Sequence, residues 1–334
     1  MSVDKELGAS SEVQPAAESI VLMNITRNST ADASEAKDVV LSLAIAWTLF
    51  VLIVCGNAAV LVAMYLAKNR KSRMNFFITQ LALADMSVAM LNVLPDIINR
   101  HTIVFYGGNP ICKIIKYLQF LTIFASDYVL VALSIDRFDA ICRPMNFSSS
   151  GRRARILVCL AWGLSAAFSA AQIFVWQIRD FSTHAQLDYL GTQCWNILQS
   201  SDNIRVIRLY LFMNAVAAFI VPALIIMACY TIIVVTIWRK GKMLSAPSHQ
   251  ASGLSLRSVR GKEATCTSCD VSLLVFIICW SPYFFYDLLD VYGKLPNFDV
   301  KVSGLVQALA PLNSAANPLI YCLFSTKHRG SYGE

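Results

Sequence analysis

The chain has 334 residues, of which 56% are hydrophobic and 15% are charged, and its net charge is +7. A soluble domain carries about a quarter charged residues, so this composition excludes an ordinary soluble protein and indicates a membrane protein. The charges are concentrated in short segments between long neutral stretches, and we expect no nucleic-acid partner.

Neutral, apolar stretches predict seven membrane-spanning helices. The first, Val39 to Ala67, has no Asp, Glu, Lys, Arg or His. A helix of that length extends about 43 Å, more than the ~30 Å hydrocarbon core of a bilayer. The predicted helices are residues 39–67, 74–99, 110–143, 153–177, 206–239, 264–290 and 299–324. The predicted fold is therefore all-α, a seven-helix transmembrane bundle over residues 39–324, between an N-terminal tail (1–38) expected to be disordered and a short cytoplasmic tail (325–334).

Basic residues follow the first, third and fifth predicted helices, and they set the orientation of the bundle. The positive-inside rule places these loops in the cytoplasm, including a segment at 240–262 expected to be flexible, and it places the N-terminal tail outside the plasma membrane. In that tail Asn24 and Asn28 begin Asn-X-Thr sequons, which predict glycosylation, although such short matches also arise by chance. Residues 1–38 lack the apolar segment of a cleaved signal peptide, so we expect the first helix to act as the insertion signal.

Two of the ten cysteines fall on the predicted extracellular side. Cys112 opens the third predicted helix, and Cys194 lies in the loop between the fourth and fifth. Disulfides form in oxidising compartments, so these two cysteines are the candidate pair. Their bond would hold the loop across the outer end of the bundle.

Ionisable residues inside membrane helices are costly and are therefore functional candidates. Asp85 lies in the second predicted helix. Its carboxylate, with oxygen atoms from other helices, predicts a site for Na⁺ or a proton, because hard oxygen ligands suit these cations better than a soft metal. The alternative is that Asp85 is only hydrogen-bonded to polar neighbours, and no cofactor other than Na⁺ is expected. The predicted oxygen donors are Asn57, Ser126, Asn313, Ser314 and Asn317.

Two further acids lie in the third predicted helix. Asp127 is near the middle of the membrane, where it is either protonated or accepts hydrogen bonds within the bundle, and the sequence leaves both open. Asp136 precedes Arg137 at the predicted cytoplasmic end, where the carboxylate can hold the guanidinium until a partner binds it. The prolines that predict helix kinks, as they would in many transporters, are Pro222, Pro282 and Pro318.

These features together resemble the rhodopsin-like G-protein-coupled receptors over about Val40 to Phe324. Any single match is weak, but all of them occur in order and on the expected helices. The matching residues are Gly56, Asn57, Asp85, Cys112, Asp136, Arg137, Phe138, Trp162, Cys194, Pro222, Tyr230, Cys279, Trp280, Ser281, Pro282, Asn317, Pro318 and Tyr321.

The resemblance narrows to receptors for peptides. Gln119 stands where amine receptors carry Asp, and no Lys occurs between Val302 and Phe324, where opsins need one. The strings KYLQ, QCW and WSPYFFYDLLDVYG are similar to those of vasopressin/oxytocin, neuropeptide S and crustacean cardioactive peptide receptors. Two longer strings, DRFDAICRPMNFS and APLNSAANPLIYCLFS, resemble the cardioactive peptide receptors most.

By this resemblance, an extracellular peptide binds between the outer ends of the helices. Glutamines suit peptide amides because they both donate and accept hydrogen bonds. Asp287 suits an ammonium or guanidinium group, and Lys116 suits a carbonyl or carboxylate. The alternatives are that Lys116 and Asp287 simply reach solvent and that Trp195 only packs within its loop. The implied ligand-binding residues are Lys116, Gln119, Gln172, Trp195, Tyr283 and Asp287.

The resemblance also implies a signalling mechanism. Ligand binding would shift the bundle towards a state in which the foot of the sixth helix moves outward and a heterotrimeric G protein docks. Arrestin, a receptor kinase and membrane lipids are further implied partners. The residues implied in this change are Asp136, Arg137, Pro222, Tyr230, Phe276, Trp280, Pro282, Pro318 and Tyr321.

Three features depart from the family pattern. Phe138 stands where most relatives have Tyr, with a small expected effect. The tail after Phe324 is short for an eighth helix, which puts membrane contact and arrestin binding there in doubt. Residues 261–270 are polar where relatives begin the sixth helix with a basic, strongly helical segment, so a receptor that binds peptide without efficient coupling is an alternative.

Other classes of membrane protein fit the sequence less well. A transporter would carry internal repeats and glycine-broken half-helices, which are not evident. An enzyme would need paired catalytic groups, and all four histidines fall in predicted loops or tails, so no enzyme activity is expected. The Cys-X-X-Cys spacing at 266–269 is weak evidence for a metal or redox site.

Overall fold

The computed structural model describes residues 32–67, 72–102, 104–143, 150–181, 191–200, 204–244, 271–289 and 300–330, and these contain seven long helices. The helices are α1 (Asp32–Leu66), α2 (Arg73–Thr102), α3 (Gly108–Cys142), α4 (Ser150–Ser169), α5 (204–244), α6 (Val271–Leu289) and α7 (Val300–Gly330). Among the described residues, six of them, α1 to α6, are long and apolar enough to cross a membrane. The seventh, α7, is less apolar because Asn313, Ser314 and Asn317 lie within it, buried against the rest of the bundle.

The predicted helix boundaries need three corrections. α1 begins at Asp32, so the end of the predicted disordered tail has a helical backbone. α4 ends at Ser169, and after a short turn of helix at Gln172–Val175 the chain becomes a strand, so the predicted helix to residue 177 is wrong at its end. α7 continues to Gly330, into the predicted tail. Residues 264–270 of the predicted sixth helix, and 245–262 of the predicted loop, lie outside the described residues.

α3 is the central helix of the bundle. It packs against α2, α4 and α5, and it has the largest buried fraction of any described span. Small side chains such as Ala125, Ser126 and Ala132 are buried along it, which lets neighbouring helices approach closely. Large apolar side chains on the outer helices, such as Trp47 and Leu160, are exposed. An apolar exterior around a partly polar interior is what a bilayer requires.

A close approach of α1 and α7 depends on Gly56. A Cβ atom added there would lie 3.1 Å from side-chain carbons of Pro318, closer than ordinary van der Waals contact. Beside it, Asn57 donates to the main-chain oxygen of Ser314 at 3.2 Å. The Gly-Asn pair therefore joins α1 to α7 by both shape and a hydrogen bond.

A β-hairpin between α4 and α5 was not predicted. Its strands, β1 (Trp176–Asp180) and β2 (Thr192–Asn196), pair antiparallel with Ile178 opposite Cys194. The predicted disulfide between Cys112 and Cys194 is confirmed, with the two Cα atoms 5.5 Å apart. It ties β2 to the start of α3, and Asn109 Oδ1 accepts a hydrogen bond from the Ile178 amide at 3.2 Å.

Two π-helical segments accommodate prolines. Val216–Ile220 precedes Pro222, and Ala89–Val93 precedes Pro95. Proline has no amide hydrogen and its ring clashes with the carbonyl four residues earlier, which in both cases lies inside the π segment. The predicted distortion at Pro222 thus takes the form of a π segment, and the one at Pro95 was missed. Helical structure is continuous through Pro282 and Pro318, where kinks stay predictions.

Candidate functional site

A cavity of about 1080 Å³ lies between the helices beneath the hairpin. Both strands contribute to its wall, and α1, α2, α3, α5, α6 and α7 supply most of the rest. This volume is at the upper end of the range for ligand pockets. Five of the six predicted ligand-binding residues line it, namely Lys116, Gln119, Trp195, Tyr283 and Asp287.

Gln119 presents a hydrogen-bond acceptor to the cavity. Its amide nitrogen donates to the main-chain oxygen of Asn92, in the π segment of α2, at 3.3 Å. No described residue donates to its side-chain oxygen. The π segment thus fixes the orientation of the Gln119 amide, and the free oxygen is available to an amide or ammonium group of a ligand.

Gln172 lies behind the cavity wall and does not line it. The side chain is fully buried. Its oxygen accepts hydrogen bonds from Trp176 Nε1 at 3.1 Å and from the Tyr210 hydroxyl at 2.6 Å. Its nitrogen donates to Asn214 at 3.5 Å. The three partners line the cavity, so Gln172 positions the wall.

Four charged side chains line the cavity, and two of them were missed. Lys116 Nζ lies 4.3 Å from the centre of the Trp176 ring, a cation–π contact. Asp96 accepts a hydrogen bond from Arg100 Nε at 2.9 Å, and both residues line the cavity, as does Asp287. The spacing of Asp96 and Arg100 by one helical turn was a usable signal, because such a pair is stabilised on one helix face.

Aromatic rings form the floor of the cavity and continue below it. Trp280 packs against Phe284 with ring centres 5.5 Å apart and meets Tyr283 edge-on at 6.1 Å. Below them, Phe276 is fully buried between Trp280, at 6.5 Å, and Phe219, at 6.1 Å. We call these five residues the aromatic column. It joins α6 to the α5 π segment, which contains Phe219 and lies beside the buried Pro222; Phe219 itself also lines the cavity.

Asp85 is fully buried beneath the column and is hydrogen-bonded on both oxygens. Ser126 donates to Oδ1 at 2.5 Å, and Asn317 donates to Oδ2 at 2.8 Å. Of the other predicted donors, Asn57 reaches the main chain of Ser314, and Asn313 points to a different acid. The structure therefore brings α2, α3 and α7 together at Asp85.

Asp127 is that second acid, and it accepts hydrogen bonds. Trp280 Nε1 lies 3.3 Å from its Oδ1, and Asn313 Nδ2 lies 3.5 Å from the same atom. Its Oδ2 is buried and has no partner among the described residues. The geometry thus shows Asp127 accepting hydrogen bonds within the bundle, and its protonation stays a prediction.

At the other end of α3, Asp136 is shared between two arginines. Arg73 Nε lies 3.0 Å from its Oδ1, whereas Arg137 Nη2 lies 3.5 Å from its Oδ2. The Arg137 Nε is buried and has no partner in the part of the chain that the structure describes. The closer partner of Asp136 is thus Arg73, at the start of α2, which the sequence did not indicate.

Two tyrosines, Tyr230 and Tyr321, are among the residues that the family resemblance implies in the signalling change. The Tyr230 hydroxyl on α5 is 2.9 Å from Ser134 Oγ on α3, one turn before Arg137. Tyr321 is half-buried on α7 and packs against the main hydrophobic core. The structure thus places Tyr230 against α3 and leaves the role of Tyr321 a prediction.

Comparison with known proteins identifies the family. Residues 56–321 match the model of the 7 transmembrane receptor (rhodopsin family). The chain belongs to this family. It is 38% identical to the neuropeptide S receptor of Macaca mulatta over 297 residues, which cover 86% of this chain and 77% of that one. It is 37% identical to the human neuropeptide S receptor over 289 residues, 84% of this chain and 75% of that one.

A second group of relatives is also similar. The isotocin receptor of Catostomus commersonii is 32% identical over 288 residues, which cover 82% of this chain and 71% of that one. The chain is thus a multi-pass membrane receptor of the rhodopsin family, and the predicted resemblance to the neuropeptide S and vasopressin/oxytocin branch is confirmed. Membership of a receptor family agrees with the expectation that it is not an enzyme. Asn24 and Asn28, the predicted glycosylation sites, lie outside the described residues.

Proposed function

We propose that this rhodopsin-family receptor binds an extracellular peptide in the cavity and transmits the event to a heterotrimeric G protein. The observation that carries the proposal is the cavity itself, about 1080 Å³ in volume, with four charged side chains and the Gln119 oxygen on its wall. Relatives of this chain are named as receptors for neuropeptide S and for isotocin. A peptide has the size, the amides and the terminal or side-chain charges that such a wall can bind.

The ligand class can be narrowed by charge. Asp96, Arg100, Lys116 and Asp287 give the cavity two acids and two bases, so a ligand with both signs of charge, or with many neutral amides, is favoured over a simple amine. A cardioactive or vasopressin-like peptide meets this requirement. We assign the N-terminal tail and the hairpin to the outside of the plasma membrane, the side from which such a peptide arrives.

Transmission would run down the aromatic column. A peptide on Tyr283 or Phe284 would shift Trp280 and Phe276, and with them α6, against the π segment of α5. Outward movement of the end of α6 near Val271 would open a docking face beside Arg137 for a G protein, and later for a receptor kinase and arrestin. Arg137 is suited to this role because its contact with Asp136 is the longer of the two.

We further propose that Asp85 holds a sodium ion in the ligand-free receptor. The carboxylate and the hydroxyl of Ser126 form a fully buried set of hard oxygens, which fits Na⁺. The ion, when bound, supplies a positive charge that balances the carboxylate. Sodium chloride, compared with choline chloride, should raise the thermal stability of the purified receptor, and Asp85→Asn should remove the difference.

The function is tested by screening secreted neuropeptides, cyclic nonapeptides first, on cells that express the chain. Calcium and cAMP are measured for every peptide. For a peptide that evokes a response, Gln119→Leu and Asp287→Asn should abolish the response at unchanged surface expression. Gln177→Leu is the matched control, since Gln177 is exposed on β1 and does not line the cavity.

Other outcomes would point to other functions. A peptide that binds at the surface without a second-messenger response would indicate the coupling-impaired receptor. Substrate uptake without any second-messenger change would indicate a transporter. A peptide response that is equally strong in the Gln119, Asp287 and Gln177 variants would contradict this binding site.

A further inference from the structure

Asp127 is a membrane-embedded acid to which neither the proposed ligand contacts nor the proposed sodium site assigns a role. It is 1% exposed and lies on the central helix. Ionisable residues in such a position are costly, and they persist mainly where they serve function. A buried oxygen without a hydrogen-bond partner adds to that cost, and Asp127 carries one in Oδ2.

The geometry connects this acid to the cavity floor. The Trp280 indole has one hydrogen-bond donor, and that donor points to Asp127 Oδ1 at 3.3 Å. The same ring packs at 5.5 Å against Phe284, which lines the cavity. Trp280 therefore has a polar contact below, to α3, and an aromatic contact above, to the ligand-accessible surface.

The second donor to Asp127 comes from another helix. Asn313 on α7 reaches the same Oδ1 at 3.5 Å. The single carboxyl oxygen thus joins α3, α6 and α7 at the level of Trp280 in the aromatic column. An indole that moves away from this oxygen by about one ångström loses the bond, because hydrogen bonds weaken steeply with distance and angle.

We propose that Asp127 is a positioning residue that holds Trp280 in the ligand-free orientation, and that a ligand on the cavity floor signals by breaking the Asp127–Trp280 hydrogen bond. This inference rests on the proposed function for its signalling readout. It goes beyond that function by naming the contact that the ligand must break. It also gives a role to a costly acid in the centre of α3.

The test compares two substitutions of Asp127. Asp127→Leu keeps the approximate size and removes the acceptor, and ligand-independent signalling should rise about fivefold, which corresponds to the loss of one ordinary hydrogen bond. Asp127→Asn keeps an oxygen acceptor and should return ligand-independent signalling to within about twofold of the unmodified receptor. Thr122→Val is the matched control, because Thr122 is buried on α3 and bonds only within its own helix.

A double-mutant cycle separates positioning from a merely structural role. Trp280→Phe keeps an aromatic ring and removes the donor, so it should raise ligand-independent signalling about as much as Asp127→Leu. If both substitutions break one bond, the double variant rises no further than either single variant. Effects that multiply, or an Asp127→Leu receptor with normal surface expression and unchanged or lowered ligand-independent signalling, would overturn the proposal.

A second measurement needs no G protein. In receptor labelled with 5-fluorotryptophan, the ¹⁹F resonance that Trp280→Phe deletes belongs to Trp280. It should shift in Asp127→Leu and stay near its original position in Asp127→Asn and Thr122→Val. If no variant signals but this shift pattern is present, the proposed G-protein function has failed and the positioning role of Asp127 stands. An unshifted resonance in Asp127→Leu rejects the positioning role.

Discussion

The two ends of the bundle are held together by different kinds of contact. The cavity half, around the hairpin, has a disulfide, a two-stranded ladder and the Gln172 hydrogen-bond network behind its wall. The ion-pair half, around Asp136, has two ion pairs of 3.0 Å, Arg73–Asp136 and Arg153–Asp139, and one hydroxyl pair between α3 and α5. The first set of contacts fixes a shape. The second can exchange partners at little cost, which suits the proposed opening of this end.

Among the substitutions that test this comparison, removal of the disulfide should have the largest effect on the stability of the receptor. Cys112 and Cys194 are 82 residues apart in sequence, and closing a loop of that size contributes about 4–5 kcal/mol in the chain-entropy model. Cys112→Ser should therefore abolish most surface expression and, in purified receptor, lower the unfolding temperature by many degrees. Flow cytometry and a thermal-shift assay measure the two effects.

The control for this prediction is another cysteine in the same bundle. Cys159→Ser changes an exposed, free cysteine of α4 and should leave both measurements unchanged. Cys194→Ser should match Cys112→Ser, and the double variant should be no worse. A Cys112→Ser receptor as stable as Cys159→Ser would mean that the cavity half does not depend on its covalent tie.

Gly56→Val should have the next largest effect on stability, because it disturbs the close packing of α1 against α7. The new side chain would meet the Pro318 ring, which cannot rotate away, at a distance of 3.1 Å for the Cβ atom alone. Overpacking of this kind costs about 1–3 kcal/mol. The unfolding temperature of the purified receptor should fall accordingly. Gly163→Val is the control, since a Cβ there has no atom within 4 Å; equal losses at both positions would contradict the close approach.

The ion-pair half can be tested by two substitutions that should change ligand-independent signalling in opposite directions. Asp136→Asn removes the acid that holds Arg137, so ligand-independent signalling should rise. Arg73→Gln leaves Asp136 to Arg137 alone, so ligand-independent signalling should fall. A partly buried ion pair contributes about 1 kcal/mol, hence about fivefold in each direction. cAMP and calcium in cells with matched surface expression measure both; a rise in Arg73→Gln would mean that the tie between α2 and α3 itself keeps the receptor inactive.

The sequence predicted the spans and the disulfide from residue type and position along the chain, and the family resemblance implied five of the residues that line the cavity. The apolar run of α1 and the isolated Asp85 are signals of this kind. The contacts that the sequence missed depend on the rotation of one helix against another. The amino-acid sequence carries no signal that Gln172 lies behind the cavity wall, that Arg73 contacts Asp136, or that Trp280 donates to Asp127.

The hairpin and the π segments were missed for a different reason. The strands WQIRD and TQCWN are only five residues each, and a two-stranded hairpin is only marginally stable by itself, so the sequence of the strands is a weak signal. Pro95 and Pro222 were visible, but a proline predicts a distortion without specifying its form. The π form places the Asn92 carbonyl where Gln119 can donate to it, so the missed geometry bears directly on the candidate site.

The smallest expected effect is at Phe138, where the family usually has Tyr, and it tests how local the contacts of the ion-pair half are. The Phe138 ring lies 5.5 Å from the Arg143 guanidinium carbon, within cation–π range. Phe138→Tyr keeps the ring, so ligand-independent signalling should change by less than about twofold, and the unfolding temperature of the purified receptor should stay the same. Phe138→Leu keeps apolar volume but removes the ring, and should lower stability by about 0.5–1 kcal/mol. Phe138→Tyr should matter only if a hydroxyl at this position joined the contacts around Asp136. A change in ligand-independent signalling as large as that of Arg73→Gln would show that it does, and that uncharged side chains also hold the ion-pair half together.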